Sequence, residues 1–106
     1  MANPVEYTLT YDTWQKVATS VRQGIVTFYR QSSNSKYLFT PRDAGSTAPA
    51  NNDTDDSKGD IVNFVTVPKG IQMPETRQVP ISSSVDIDVY VKSVNPNEVG
   101  KVVVIL

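Results

Sequence analysis

Val85-Asp86-Ile87-Asp88-Val89-Tyr90-Val91-Lys92 alternates branched apolar residues with polar or aromatic ones without a break. Successive side chains of a strand point to opposite faces, so the pattern predicts a β-strand. Val85, Ile87, Val89 and Val91 would face the core, and Asp86, Asp88, Tyr90 and Lys92 water. Downstream, Lys101-Val102-Val103-Val104-Ile105-Leu106 is nearly all apolar and β-branched, as expected of a strand covered on both faces. Asn, Pro and Gly in the link from Asn95 to Gly100 predict a hairpin between the two, with a moderately long loop.

Working back from this pair, Gly24 to Arg30 and Lys36 to Thr40 are rich in aromatic and β-branched residues. They flank the polar link Gln31-Ser32-Ser33-Asn34-Ser35 and predict a second hairpin. Asp60 to Val67 reads as a strand closed by Pro68-Lys69-Gly70. Val79-Pro80-Ile81 reads as a short edge strand, because proline cannot donate to a ladder. With Val5 to Tyr11 at the front, the total is about seven strands, the number a small antiparallel β-sandwich needs. The fold class is therefore all-β, in one domain spanning residues 1–106.

One segment argues for helix. Trp14, Val17, Ala18 and Val21 stand at i, i+3, i+4 and i+7, with Asp12 or Thr13 as an N-cap and Gly24 as a stop. A short helix or turn is expected over Trp14–Val21, with an irregular strand as the alternative, since Val17 and Val21 share a parity. From Pro41 to Gly59, two prolines, Gly45, small polar residues and Asp53-Thr54-Asp55-Asp56 predict a long exposed flexible loop.

Composition narrows the chemistry. The chain has no cysteine, which removes disulfides, thiolate catalysis and cysteine-ligated metals, and no histidine, the usual proton-transfer group and metal ligand near neutrality. A formal net charge of -1 gives no case for a polyanion partner, so nucleic acid is not expected. The start, Met1 to Glu6, lacks a basic segment followed by an apolar one, and no window is apolar enough for a membrane helix. A soluble protein made in a cytoplasm, without membrane contact, is the expectation.

Asn51, Asp53, Asp55 and Asp56 suggest a calcium loop, but counting from Asp53 puts Lys58 where glycine is needed and Phe64 where the bidentate glutamate is needed. A solvated acidic loop fits better, and no metal or cofactor is expected. Asp86 and Asp88 share a strand face and could form an acid–base pair, yet alternating acids on a wet face serve solubility. Ser82-Ser83-Ser84 lacks a histidine to activate it and reads as a polar entry to the strand. Trp14 and the other aromatics could stack sugars, as in a small carbohydrate-binding module, but Phe28, Tyr29, Tyr37 and Phe39 are needed to fill the core. The remaining candidates are protein contacts. An extended arm at residues 1–6 offers Asn3, Pro4 and Val5; the long loop offers Pro41, Arg42, Pro49, Asp53 and Asp55; the last strand offers Val104 and Leu106. The alternative is that the arm is frayed and Val102 to Leu106 is simply a central strand.

In layout the sequence resembles the small β-sandwich virion structural proteins of tailed bacteriophages. The likeness rests on Trp14-Gln15-Lys16-Val17-Ala18, Ser35-Lys36-Tyr37-Leu38-Phe39, Val89-Tyr90-Val91-Lys92-Ser93 and the apolar strand Val102 to Leu106. That resemblance implies a non-enzymatic capsid decoration or cement protein, homotrimeric, bound to the major capsid protein or other virion proteins and located in the virion. A tail, collar or fibre-associated adaptor is its runner-up.

Overall fold

A computed structural model describes residues 4–31, 35–47, 60–63, 75–96 and 99–106. The fold is all-β and antiparallel, with no helix among the described residues. Its strands are β1 (Val5–Leu9), β2 (Gln15–Tyr29), β3 (Lys36–Asp43), β4 (Asp60–Asn63), β5 (Thr76–Ser93) and β6 (Gly100–Ile105), in one sheet ordered β1-β6-β2-β5-β3-β4. Six strands are found among the described residues where about seven were expected, because Val79-Pro80-Ile81 and Val85 to Lys92 belong to the same strand, β5.

β2 and β5 are long and pair with each other, but each has different neighbours along its length. The second half of β2, Ile25 to Tyr29, also pairs with β6, whereas the second half of β5, Ile87 to Ser93, also pairs with β3. The sheet bends where β2 and β5 lose register, so its two halves face each other across one core. Phe28 of β2 accordingly packs on Tyr37 and Phe39 of β3, with ring centroids 5.1 and 6.4 Å away. The Tyr37 hydroxyl crosses the core, donating to Tyr29 O at 2.6 Å and accepting from Lys101 N at 3.3 Å, and so spans the final β2–β6 pair. Val26, Val89, Val91, Val102 and Val104 fill the space around these rings.

The short helix or turn expected over Trp14–Val21 does not form, and Gln15 to Val21 are the irregular strand given as its alternative. Register shifts fall between Lys16 and Ala18, Ala18 and Val21, and Val21 and Gln23, and Ser20 takes a left-handed φ of 52°. Each bulge adds a residue to one strand and puts neighbours on the same side, so Val17 and Ala18 are both in the core. Irregularities inserted into a period of two mimic a period near 3.6.

Both expected hairpins are also absent. β5 and β6 do not pair, because β2 lies between them, and β2 and β3 do not pair, because β5 lies between them. Connections after Tyr29 and Ser93 cross to the opposite half of the bent sheet, where each strand finds the partner it needs to bury its apolar face. Burial differs from expectation as well. β6 is covered mainly on one face, with Gly100, Val102 and Val104 buried and Ile105 exposed. In β5, Asp88, Tyr90 and Lys92 are buried rather than wet, whereas Val85 is 52% exposed. The chain from Pro41 to Asp43 belongs to β3, so the loop expected from Pro41 starts beyond it; Ala48 to Gly59 lie outside the described residues. The expected strand from Asp60 is described over 60–63, and its continuation to Val67 lies outside the described residues.

Candidate functional site

Among the described residues, the exposed large apolar side chains are unevenly placed. Val5 begins β1, Ile105 and Leu106 close the last strand, Ile25 stands opposite Ile105 in β2, and Val85 lies where β5 bends. Antiparallel pairing brings Val5, Ile25, Ile105 and Leu106 to one end of the sheet and Val85 lies in the adjoining unpaired stretch of β5 between Ser82 and Ile87, whereas exposed Tyr11 and Val99 fall at the other end of β1 and β6. Concentrated exposed apolar surface marks contact sites in soluble proteins. We refer to this as the contact end.

Two open depressions indent it. One, of about 440 Å³, is lined by Gln23, Gly24, Ile25, Ile81, Ser82, Ile105 and Leu106. Gly24 is required there, because a Cβ would stand 2.8 Å from Ile105 O and 2.9 Å from Leu106 Cδ2. The other, of about 430 Å³, lies between β3 and β5 and is lined by Pro41, Arg42, Asp43, Ser46, Ser83, Val85 and Ile87. Ser82 and Ser83, adjacent in β5, belong to one depression each.

The rim between them is a wide bulge. Val21 pairs with Ile87 and Gln23 with Ser82, so Arg22 alone stands opposite residues 83–86. The serine run shapes it: Ser83 Oγ donates to Val85 O at 2.7 Å and accepts from Val85 N at 3.2 Å. Arg22 Nε donates to Asp86 Oδ1 at 2.8 Å across the bulge. Val85 is thus held outward on a braced segment. Sequence reasoning placed it in the core because the period-two pattern runs through Val85 unbroken; the preceding serine run was the available sign of irregular backbone.

Beside the bulge, Asp88 is buried but fully engaged. Ser20 N donates to its Oδ1 at 2.9 Å and Gly45 N to its Oδ2 at 3.0 Å, and Lys16 Nζ lies 3.5 Å from Oδ2. The N–H groups of Ser20 and Gly45, aided by the Lys16 charge, hold this carboxyl below the usual aspartate range against the desolvation that would raise it. Desolvation pulls Lys16 down, but Asp88 and Tyr90 outweigh it and leave its pKa raised. Further along the same face, fully buried Lys92 donates from Nζ to Asp12 Oδ1 at 3.0 Å and lies 4.8 Å from the Trp14 ring centroid. Asp88 is therefore not the wet-face acid expected from sequence, whereas Asp86, with its side chain 56% exposed, does face water and pairs there with Arg22.

Of the contact residues expected from sequence, Pro4, Val5 and Leu106 are exposed at the contact end, and Pro41 and Arg42 line the second depression. Val5 is paired with Val104 in β1 and is not part of a loose arm. Val104 is corrected: it is buried in the core of a strand flanked by β1 and β2 and cannot meet a partner. Asn3, Pro49, Asp53 and Asp55 lie outside the described residues, as does the acidic cluster weighed for calcium. Of the aromatics, Trp14, Phe28, Tyr37, Phe39 and Tyr90 are buried, which commits them to packing and not to a sugar platform. No helix among the described residues is long and apolar enough to cross a membrane. No protein-family model, curated protein or solved structure matches this chain.

Proposed function

We propose that this chain is a non-enzymatic structural protein of a tailed-bacteriophage virion, a capsid decoration protein that binds the major capsid protein lattice and stabilises the head. The observation that carries the contact part of this reading is the gathering of Val5, Ile25, Val85, Ile105 and Leu106 at one end of a small sheet. The virion assignment is supported by the layout resemblance. In this reading the protein is made in the host cytoplasm, assembles as a homotrimer and joins the particle through its contact end. Each copy needs only modest affinity, because oligomeric attachment converts later contacts into intramolecular ones, and whatever binds only the assembled lattice stabilises it by mass action.

Copy number tests the assignment. Quantitative mass spectrometry of purified virions should find this chain in proportion to the major capsid protein. A single ring's worth of copies would place it at the tail or collar as an adaptor, and its absence from particles would overturn the virion reading.

A further inference from the structure

Two residues with left-handed backbone, Ser20 at φ 52° and Gly45 at φ 84°, donate their N–H groups to one side chain. Ser20 lies in the bulged part of β2, and Gly45 in the turn after β3 that is closed by Ser46 N donating to Asp43 O at 3.0 Å. Asp88 belongs to β5, which runs between those two strands. A single carboxylate therefore ties three neighbouring elements where β2 bends and β3 ends. Non-glycine residues avoid the left-handed region, so Ser20 keeps it only with compensation, and a charged acceptor for its N–H supplies that.

The same elements wall the depression between β3 and β5, with Asp43 and Ser46 on one side and Ser83, Val85 and Ile87 on the other. The β3–β5 ladder continues to Ala44 N, which donates to Asp86 O at 3.2 Å. Past that bond, Asp88 to Gly45 is the next tie holding the turn against β5.

We infer that Asp88 is a positioning residue for the contact end: its carboxylate fixes the turn at 43–46 and the β2 bulge relative to the β5 bulge, and so sets the shape of the depression a partner enters. The link to partner binding rests on the function proposed above; the geometric part does not. An asparagine at this position is nearly isosteric but keeps one acceptor oxygen. Its amide hydrogens would then face one of the two N–H donors.

Amide exchange followed by NMR on the full chain decides the geometric part. In the wild type, Ser20 and Gly45 should exchange slowly. In Asp88→Asn at least one of them should speed up by at least about tenfold, while Val102 and Val104 keep their rates. Equal rates for both amides in the two proteins would overturn the proposal.

Occupancy on virion heads stripped of the protein tests the consequence. Asp88→Asn should bind about tenfold more weakly, whereas Val102→Ala, a core truncation between Tyr7 and Phe28 that lines neither depression, should bind like the wild type. Equal binding by Asp88→Asn, or equal loss in Val102→Ala, would show that the carboxylate does not position the contact end. Heads that fail to bind the wild type would overturn the virion reading, and exchange alone would then decide Asp88.

Discussion

Asp88 and Lys92 lie on one face of β5, and both are charged side chains taken out of water. Their partners differ, and so do the consequences of losing them. Lys92 is fully buried whereas Asp12 keeps 19% of its side-chain exposure, so Asp12→Ala takes the counter-charge from an ammonium held in the interior. That change should cost about 3 kcal/mol. Lys92→Met keeps the packed stem beside Trp14 and leaves a carboxylate that can still be hydrated, so it should cost less; urea unfolding of the two variants checks the order. For Asp88 the test is pH. Its folded-state pKa is depressed below the ordinary 3.8, so its stabilisation is present above that value and is lost as pH falls through the lower folded value. Lys16 of β2, whose pKa is raised, keeps its charge across this range, and Arg42 lies opposite Asp88 in β3. Acid unfolding should therefore be steeper with Asp88 than with Asn in its place. None of this was legible in the sequence, where both residues occupied the apparently wet face. Ser20 and Asp12 lie 68 and 80 residues away from the side chains they meet, and a local period cannot report such partners.

At the scale of elements, β5 and β6 were legible because alternation and β-branching are local properties of a strand. Their neighbours were not. Sequence order suggested hairpins, but two strands long enough to bend can each serve both halves of a sheet, and β2 and β5 took the central places. The same bends concealed the first half of β2, since bulges near Val17, Ala18 and Ser20 broke its period of two. At those bends small residues and serines have specific work. Gly24→Ala would drive a methyl against Ile105 O and Leu106 Cδ2, and should destabilise the β2–β6 contact by about 1–3 kcal/mol in denaturant unfolding. Ser83→Ala removes both hydroxyl bonds that brace the β5 bulge at an exposed site. It should cost about 1 kcal/mol or less, and it should loosen Val85 more than it loosens the core, as seen in exchange rates.

Among the described residues, the apolar surface is divided between an aromatic and valine core, the exposed residues of the contact end, and Tyr11 and Val99 at the opposite end of β1 and β6. Strand polarity explains the second part: the start of β1, the end of β6 and the bends of β2 and β5 meet at the same place. The sequence made part of this end legible, through Pro4, Val5, Pro41, Arg42 and Leu106, because prolines and an apolar final strand are visible without a fold. Val85 and Ile25 were not legible, since their exposure depends on a bulge and on which strands flank β2. Interfaces draw most of their energy from a few well-placed side chains, and an outward valine on a braced bulge suits that role. Because Val85 and Leu106 are about half exposed, at 52% and 48%, charging them should leave folding stability within about 0.5 kcal/mol. The decisive measurement is therefore head occupancy by the Val85→Asp, Leu106→Asp double variant, compared with the wild type at matched stability. Loss of binding by a fully folded variant is the expected result; binding at wild-type occupancy would show that this end is not where the protein meets its partner.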